Sequence, residues 1–290
     1  MDGSRPVFIA EASSNHGREL SRALDFVDAA AAIGCDAVKF QLFKIDRMFA
    51  PEILSRSAKH RARRAWELPA EHIAPLAEHC LKRRIAFSCT PFYVEAVEEL
   101  QPYVSFYKIA SYELLYIDLL TACAATGKQV VLSTGMATMD EIVTAVATLR
   151  QAGARDIALL HCVSAYPTPA NEANLSAIAA IREATACKTG WSDHTRRPAV
   201  IERAVHHWGA EFVEFHLDLD GNGAEYASGH CWLPEEIAPV IARVREALAA
   251  DGDGFKEPQP AELADRDWRA DPQDGLRPLR HIRAIWEPAA

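Results

Sequence analysis

The sequence predicts a (β/α)8 TIM barrel, an α/β fold, from a repeated strand and helix pattern and from its length. Eight segments have the composition of buried strands, and a helical pattern follows each of them: residues 7–13, 37–43, 85–90, 105–111, 130–135, 157–163, 188–193 and 212–218. Such a barrel needs about 250 residues, and residues 7–250 supply that length. We therefore expect one catalytic barrel over residues 1–250 and a C-terminal extension over residues 251–290, without a second domain.

The segments between the strands have helical periodicity. After the first strand, Leu20, Ala23, Leu24 and Val27 recur at the three- and four-residue spacing of one helix face. Further along, residues 138–141 begin with Thr and end with Glu, which is a capping-box pattern ahead of another apolar stripe. Strands that alternate with helices in this way indicate a parallel sheet.

Two of the predicted strands carry ionisable residues on a face that the barrel buries. Lys39 and Gln41 alternate with apolar residues in the second strand, and Glu214, His216 and Asp218 do so in and just after the eighth. Parallel strands of this kind are covered on both faces, so a polar face indicates a site. In TIM barrels the site lies at the C-terminal ends of the strands.

The overall composition limits the class of protein. The chain is 49% hydrophobic and 24% charged, which is typical of a globular protein, and its net charge of −9 argues against a nucleic-acid partner. It has no apolar run long enough to span a membrane and no N-terminal signal pattern, so we expect a cytoplasmic protein without a membrane partner. The seven cysteines form no C-x-x-C pair, which predicts reduced thiols rather than disulfides or structural zinc.

One stretch runs against the acidic composition. Residues 44–64, after the second strand, contain seven basic side chains: Lys44, Arg47, Arg56, Lys59, Arg61, Arg63 and Arg64. Two interpretations stay open for it. The stretch is either a solvated helix or a lid that attracts an anionic substrate.

The predicted strand ends bring chemically useful side chains to one rim. Lys39 and Lys108, together with several hydroxyl groups, make a cradle for phosphate or carboxylate. His194 and His216 end neighbouring strands and are placed to share one divalent metal, with no cysteine placed to help them. Each of these residues also has a structural alternative: a lysine can pair with Glu11 or Glu214, and a histidine can be a satisfied polar residue. For a further histidine, at position 161, both interpretations stay open.

Several of these segments resemble one enzyme family. AEASSNHG, DAVKFQLFK, SCTPF, YKIASYEL, LSTGMAT, HCVSAYPTP, GWSDHT and EFHLDLD are similar, in the same order, to segments of the sialic acid (N-acetylneuraminate) synthase family. The similarity covers roughly residues 7–262. Members of that family condense phosphoenolpyruvate with an N-acetylmannosamine-type sugar on a (β/α)8 barrel, so the resemblance implies the same fold as the strand count.

The resemblance also implies a role for each matching residue. It implies that phosphoenolpyruvate is bound by two lysines and four hydroxyl groups: Lys39, Thr90, Lys108, Ser111, Ser133 and Ser192. It implies that His194 and His216 bind Mn²⁺ or Mg²⁺ and that Glu11 is the acid/base near the reacting centre. The implied sugar contacts are three: Gln41, Phe92 and Tyr166. Ser164, after the sixth strand, joins the substrate-binding set.

The chain departs from the family on the side of the acceptor sugar. Family members have a G-P-D-H-like segment where residues 223–226 read G-A-E-Y, so Glu225 stands at the position of a sugar-contacting aspartate. Many members also continue into an antifreeze-like domain that offers an arginine to a partner subunit's sugar, whereas this sequence stops at Ala290. We therefore expect N-acetylmannosamine not to be the best acceptor, and a homodimer stays open.

The expected activity is a phosphoenolpyruvate-dependent, metal-requiring aldol condensation with an aldose, giving a sialic-acid-like 3-deoxy-2-ulosonic acid and phosphate. Three alternatives stay open. One is a Schiff-base aldolase that uses Lys39 or Lys108. The second is a related condensation on a different aldehyde, and the third is a barrel that binds an anionic sugar or another partner without turnover. The paired histidines and the hydroxyl groups favour the metal-dependent route.

Overall fold

The computed structural model describes residues 5–287, and in it eight parallel strands close into a barrel in the order of the sequence. The strands are β1 (Val7–Glu11), β2 (Ala37–Leu42), β3 (Ala86–Pro91), β4 (Phe106–Ile109), β5 (Val130–Ser133), β6 (Ile157–His161), β7 (Lys188–Asp193) and β8 (Phe212–His216). All eight predicted strands, and with them the predicted fold class, are confirmed. Six of them end one or two residues earlier than predicted, because the residues that follow belong to the loops at the C-terminal end of the barrel.

At least one helix follows every strand. The helices are α1 (Leu20–Ala32), α2 (Ile45–Met48), α3 (Pro51–Arg56), α4 (Ala58–Ala62), α5 (Ile73–Arg83), α6 (Glu95–Leu100), α7 (Ile117–Ala125), α8 (Met139–Gln151), α9 (Ala177–Thr185), α10 (Pro198–His206), α11 (Pro234–Ala250) and α12 (Arg280–Arg283). The predicted capping box is confirmed at the start of α8, where Thr138 and Glu141 each accept the other's backbone N–H. None of the described helices combines the length and the apolar composition that a membrane crossing requires.

The barrel interior has an apolar part and a polar part. Eight buried side chains form an apolar cluster of their own: Val7, Ile9, Ala37, Phe106, Val131, Ala158, Leu160 and Phe212. Two residues further along five of these strands, on the same face, the interior becomes polar: Glu11, Lys39, Lys108, Ser133 and Glu214. The apolar cluster therefore closes the N-terminal end of the barrel and forms the floor beneath a polar layer.

Residues 249–287 belong to a second compact unit. It contains α12 and short 3-10 turns at Pro260–Glu262 and Arg266–Trp268. Within it, Asp271 accepts the backbone N–H groups of Gln273 and Arg280. These contacts organise the unit around a short polar loop.

Candidate active site

The polar layer of the barrel centres on two buried lysines that share one carboxylate. Lys39 and Lys108 are each about one-fiftieth exposed, at 2%. Glu214 reaches both, since its Oε1 lies 3.4 Å from Lys108 Nζ and its Oε2 lies 3.9 Å from Lys39 Nζ. Lys39 also forms an ion pair with Glu11. Both lysines therefore form the ion pairs with Glu11 or Glu214 that a purely structural role would require. The shared contact with Glu214 also brings the two ammonium groups close together at the barrel mouth.

Three of the predicted hydroxyl groups contact this charged group directly. Lys39 Nζ donates to Thr90 Oγ1 at 3.1 Å, and Lys108 Nζ donates to Ser133 Oγ at 2.7 Å. Ser192 Oγ donates to Glu214 Oε1 at 3.0 Å. All three hydroxyl-bearing residues are buried. Residues from six different strands thus meet in one polar layer, as the sequence predicted.

The charges in this layer are set by burial and by mutual attraction. Burial by itself would raise the pKa of Glu214. The ammonium groups of Lys108 and Lys39 have the larger, opposite effect and lower this pKa to about 2. Burial lowers the pKa of Lys39 to about 8, although the Glu214 carboxylate raises it in part. At neutral pH the layer therefore contains ionised Glu214 beside the charged Lys39, and the Lys39 charge is lost in mildly alkaline solution.

A second group of hydroxyls surrounds the backbone just after β5. The Gly135 N–H donates to Ser111 Oγ at 2.9 Å, and Ser111 Oγ lies 3.2 Å from Cys162 Sγ. A Cβ at Gly135 would lie 2.3 Å from Ser164 Oγ, so only glycine leaves room for this approach. The structure therefore brings Ser111 and Ser164 together beside the loop that follows Ser133.

The predicted sugar contacts lie around the rim. Gln41 Nε2 donates to Ser13 Oγ at 3.1 Å, and Ser13 Oγ in turn donates to Glu225 Oε1 at 2.5 Å. Phe92, at the end of β3, packs edge-on against Phe43 with ring centroids 5.8 Å apart. Gln41 is thus connected to Glu225 through Ser13, a residue that the sequence reasoning missed.

His194 and His216 lie side by side at the ends of β7 and β8, with ring centroids 5.4 Å apart. His194 Nδ1 is 2.8 Å from the Val163 carbonyl oxygen, and His216 Nδ1 is 3.2 Å from Glu225 Oε2. Because both partners are acceptors, each Nδ1 carries the proton and each Nε2 keeps a lone pair for a ligand. Burial lowers the pKa of His216, and that of His194 to about 3, so both rings are neutral.

Two residues of this cluster were missed, and one expectation about it is wrong. One ligand atom from each of His216, Glu225, His230 and Cys231 lies within 4.8 Å of the others. A cysteine is therefore placed beside a predicted metal-binding histidine, contrary to the expectation. The reason is tertiary: the loop after β8 returns to the strand end, where the Trp232 N–H donates to the His216 carbonyl at 2.8 Å. The adjacent His and Cys at 230–231 were the only signal in the sequence.

Glu225 lies at the centre of this cluster. Its Oε2 is 3.2 Å from His216 Nδ1 and 3.6 Å from His230 Nε2. Burial by itself would raise the pKa of Glu225, but the hydrogen bond with His216 and the proximity of His230 hold it well below the usual range. The ionised carboxylate thus orients imidazoles, while its expected sugar contact stays a prediction.

Tyr166 lies over the histidines. Its ring centroid is 4.2 Å from that of His194, 4.9 Å from that of His230 and 5.9 Å from that of His216. The side chain is partly open to solvent, because the residue is 41% exposed. It therefore covers the histidine cluster on one side and leaves part of its own surface open to solvent.

His161 is not part of the cluster. Its Nε2 is 3.0 Å from the Ala173 carbonyl oxygen, and its ring lies 5.4 Å from that of Trp191. Its neighbour Leu160 belongs to the interior cluster, so alternation turns His161 towards the outer helices. Of the two interpretations left open by the sequence, the structure supports the structural one.

A further acidic residue beside the lysines was also missed. Glu113 follows β4, and its Oε2 is buried without a hydrogen-bond partner among residues 5–287. Burial raises the pKa of Glu113 to about 8, although Lys108 lowers it in part. Glu113 is therefore protonated at neutral pH, in contrast to Glu214.

The basic stretch at 44–64 makes many surface contacts of its own. Lys44 Nζ is 3.5 Å from Glu99 Oε1, and Arg64 Nη2 is 2.9 Å from Asp46 Oδ1. The Arg63 guanidinium lies over the Trp66 ring at 5.4 Å. These contacts support the interpretation as a solvated helical surface.

The histidine cluster fits a divalent cation by the chemistry of its donors. Neutral imidazoles and an ionised carboxylate suit Mn²⁺ and Zn²⁺, and a neutral ring whose Nδ1 is held by an acceptor offers Nε2 as the ligand. His230 adds a buried Nδ1 that has no hydrogen-bond partner in the described part of the chain. Which residues bind a metal or substrate stays a prediction.

Comparisons with known proteins agree with the geometry. A family model described as the NeuB family matches residues 26–256. N,N'-diacetyllegionaminic acid synthase of Campylobacter jejuni is 34% identical over 271 residues, which is 89% of this chain and 81% of that protein. Spore coat polysaccharide biosynthesis protein SpsE of Bacillus subtilis is 34% identical over 270 residues, 87% of this chain and 70% of that protein.

Solved structures give the same result. The N-acetylneuraminic acid (sialic acid) synthetase of Leptospira borgpetersenii, determined in complex with citrate, has a TM-score of 0.80 and 33% identity over 90% of each chain. The resemblance that the sequence motifs indicated is thereby confirmed, and the chain belongs to the NeuB family.

Proposed function

We propose that this protein condenses phosphoenolpyruvate with an aldose to give a sialic-acid-like 3-deoxy-2-ulosonic acid and phosphate. The observation that carries the proposal is the pair of buried ammonium groups on Lys39 and Lys108, which lie among hydroxyl groups at the barrel mouth. Phosphoenolpyruvate carries a phosphate and a carboxylate, and two fixed cations with nearby hydroxyl donors suit both anions. Membership of a family of carbohydrate synthases supports it.

Each part of the layer has a role in this reaction. Lys39 and Thr90 on one side, and Lys108 and Ser133 on the other, bind the two anionic ends of phosphoenolpyruvate. Ser111, Ser164 and Ser192 are further donors. C3 of phosphoenolpyruvate attacks the aldehyde carbon, water adds at C2, and the C2–O bond to phosphate then breaks.

Protons must move in three places during this reaction. The aldehyde oxygen gains one proton as the C–C bond forms, the water that adds at C2 loses one, and the resulting C2 hydroxyl gives its proton to the departing phosphate as the C2 carbonyl forms. Glu11 is the group we assign to this transfer, because its carboxylate lies against Lys39 and accepts the Ser13 N–H at 2.7 Å. Both contacts fix its position beside the bound substrate.

The histidine cluster is assigned to a divalent cation, Mn²⁺ or Mg²⁺, with His194 and His216 as ligands. When bound, such a cation supplies Lewis-acid chemistry to the aldehyde side of the site. Gln41, Phe92, Tyr166 and Glu225 are assigned to the aldose. Tyr166 and Glu225 contact the histidines, and Ser13 links Gln41 to Glu225.

The test is a measurement of phosphate release. We expect the purified protein with phosphoenolpyruvate, Mn²⁺ and a panel of aldoses to release phosphate only when an aldose is present, and mass spectrometry to find the matching 3-deoxy-2-ulosonic acid. Reactions without aldose, and with the Lys108→Ala variant, are the controls. Binding of phosphoenolpyruvate without phosphate release for any aldose would favour the non-catalytic alternative.

A further inference from the structure

We propose that His230 is a third imidazole ligand of the divalent cation assigned to His194 and His216. The inference rests on the proposed function for the presence of that cation, but it concerns a residue to which neither the sequence reasoning nor the family motifs assigned a role. It makes the site a three-histidine site with a carboxylate beside it.

The first argument is that the ring of His230 is buried without an adequate partner. The residue is 3% exposed, and its Nδ1 has no hydrogen-bond partner among residues 5–287. Its Nε2 lies 3.6 Å from Glu225 Oε2, which is long for a hydrogen bond, and 3.8 Å from Cys231 Sγ, which is a weak partner. The buried structural histidine His161, by comparison, bonds a carbonyl oxygen at 3.0 Å. Buried imidazole nitrogens are normally satisfied, and ligation of a cation would satisfy this one.

The second argument is distance. The His230 ring centroid is 4.6 Å from that of His216 and 6.3 Å from that of His194. One ligand atom from each of His216, Glu225 and His230 lies within 4.8 Å of the others. Neighbouring atoms bound to one ion at about 2.1 Å are about 3.0–3.4 Å apart in octahedral or tetrahedral geometry, so the observed separation exceeds that of a bound site by little more than an ångström.

The third argument is the carboxylate between the rings. Glu225 Oε2 faces both His216 Nδ1 and His230 Nε2. A carboxylate that accepts from a ligand imidazole fixes the ring's tautomer and orientation. One carboxylate that faces two imidazoles is therefore placed to orient both towards the same ion.

Cys231 belongs to the same cluster but fits the ion less well. Asn15 Nδ2 donates to its Sγ at 3.6 Å. Thiolate suits softer metals, whereas the Glu225 carboxylate beside it suits Mn²⁺. Cys231 is therefore the matched control, because it is buried beside His230 and is expected not to bind.

The test measures Mn²⁺ binding by calorimetry without phosphoenolpyruvate or aldose. We expect His230→Asn to weaken binding at least about 100-fold, since loss of an outer partner alone costs about 10–100-fold. Cys231→Ser should bind like wild type, and His230→Asp, which keeps a ligand oxygen, should recover part of the affinity. Thermal unfolding of the metal-free variants checks that each is folded.

Electron spin-echo spectroscopy of the Mn²⁺-loaded wild-type protein needs no variant, and it detects coordinated imidazole nitrogens. We expect three coordinated histidines. Detection of only two would overturn the proposal. So would a folded His230→Asn variant that binds Mn²⁺ with wild-type affinity, or a wild-type protein that binds no Mn²⁺. Phosphate release by the wild type together with any of these results would refute the role of His230 while leaving the proposed function in place.

Discussion

Lys108 Nζ lies 3.4 Å from Glu214 Oε1 inside the barrel, and both side chains are buried. The other oxygen of the same carboxylate faces Lys39. Glu214 therefore neutralises part of the charge that the lysines would present to an anion. An incoming phosphate has to compete with this carboxylate, which links the stability of the free protein to its affinity for substrate.

Glu214→Gln is expected to destabilise the protein. The change keeps the shape of the side chain but leaves two buried ammonium groups with less counter-charge, and breaking a buried ion pair costs about 3–5 kcal/mol. Inorganic phosphate or phosphoenolpyruvate should restore more stability to the variant than to wild type. Thermal unfolding with and without anion measures both effects. Glu113→Gln is the control, because Glu113 is already protonated at neutral pH. Equal losses of thermal stability in the Glu214→Gln and Glu113→Gln variants would refute this explanation.

Alanine at Lys39 or Lys108 is expected to weaken phosphoenolpyruvate binding about 10-fold to 150-fold. A charge-assisted hydrogen bond contributes about 1.5–3 kcal/mol, and about 1.4 kcal/mol corresponds to a factor of ten. Calorimetric titration measures the change. The same lysines distinguish the Schiff-base alternative, since borohydride treatment with substrate should leave both unmodified. A trapped adduct on either lysine would favour that alternative.

Affinity for phosphoenolpyruvate is expected to fall as the pH rises through about 8. The pKa of Lys39, lowered to about 8 by burial, means that the ammonium is charged below this pH and neutral above it. The neighbouring Glu214, whose pKa is lowered to about 2, stays ionised in this range, so the loss of the cation leaves its negative charge less compensated. Lys39→Arg keeps its charge at alkaline pH and should bind independently of pH between 7 and 9; the same decline in that variant would point to another group.

Removal of divalent metal is expected to abolish turnover reversibly. The Nε2 atoms of His194 and His216 are the predicted ligand atoms, because their Nδ1 atoms are held by Val163 and Glu225. Activity should disappear after chelation and return with added Mn²⁺. Full activity of the chelated protein, or a crystal structure with metal bound away from both histidines, would show that the assignment is wrong.

N-acetylmannosamine is expected not to be the best acceptor. Glu225 is one methylene longer than the family's aspartate, and its oxygens already contact Ser13 and His216. If a Glu225 oxygen is misplaced relative to a sugar hydroxyl, that hydroxyl is buried without a hydrogen-bond partner, at a cost of about 1–3 kcal/mol. Competition kinetics across an aldose panel that includes phosphorylated aldoses should reveal a preferred alternative. A clear preference for N-acetylmannosamine that survives Glu225→Gln would contradict this prediction.

The sequence by itself determined the barrel and one half of the site. Both follow from short-range regularities, since alternation along a strand has a period of two and fixes which residues face inwards. Lys39 and Glu214 could be placed in the interior because each alternates with apolar residues along its strand. The hydroxyl groups at the strand ends followed, because all strands of a parallel barrel end at the same rim.

Only the tertiary structure decided how the histidine end of the site is built. Ser13, Glu225 and His230 lie in loops without periodicity, so no pattern in the sequence says which way they turn. His230 reaches His216 because the chain after β8 folds back and pairs with the strand end through Trp232. Alternation fixes the direction of a side chain along one strand, but loop closure across fourteen residues depends on contacts distant in sequence, and those contacts exist only in the folded protein.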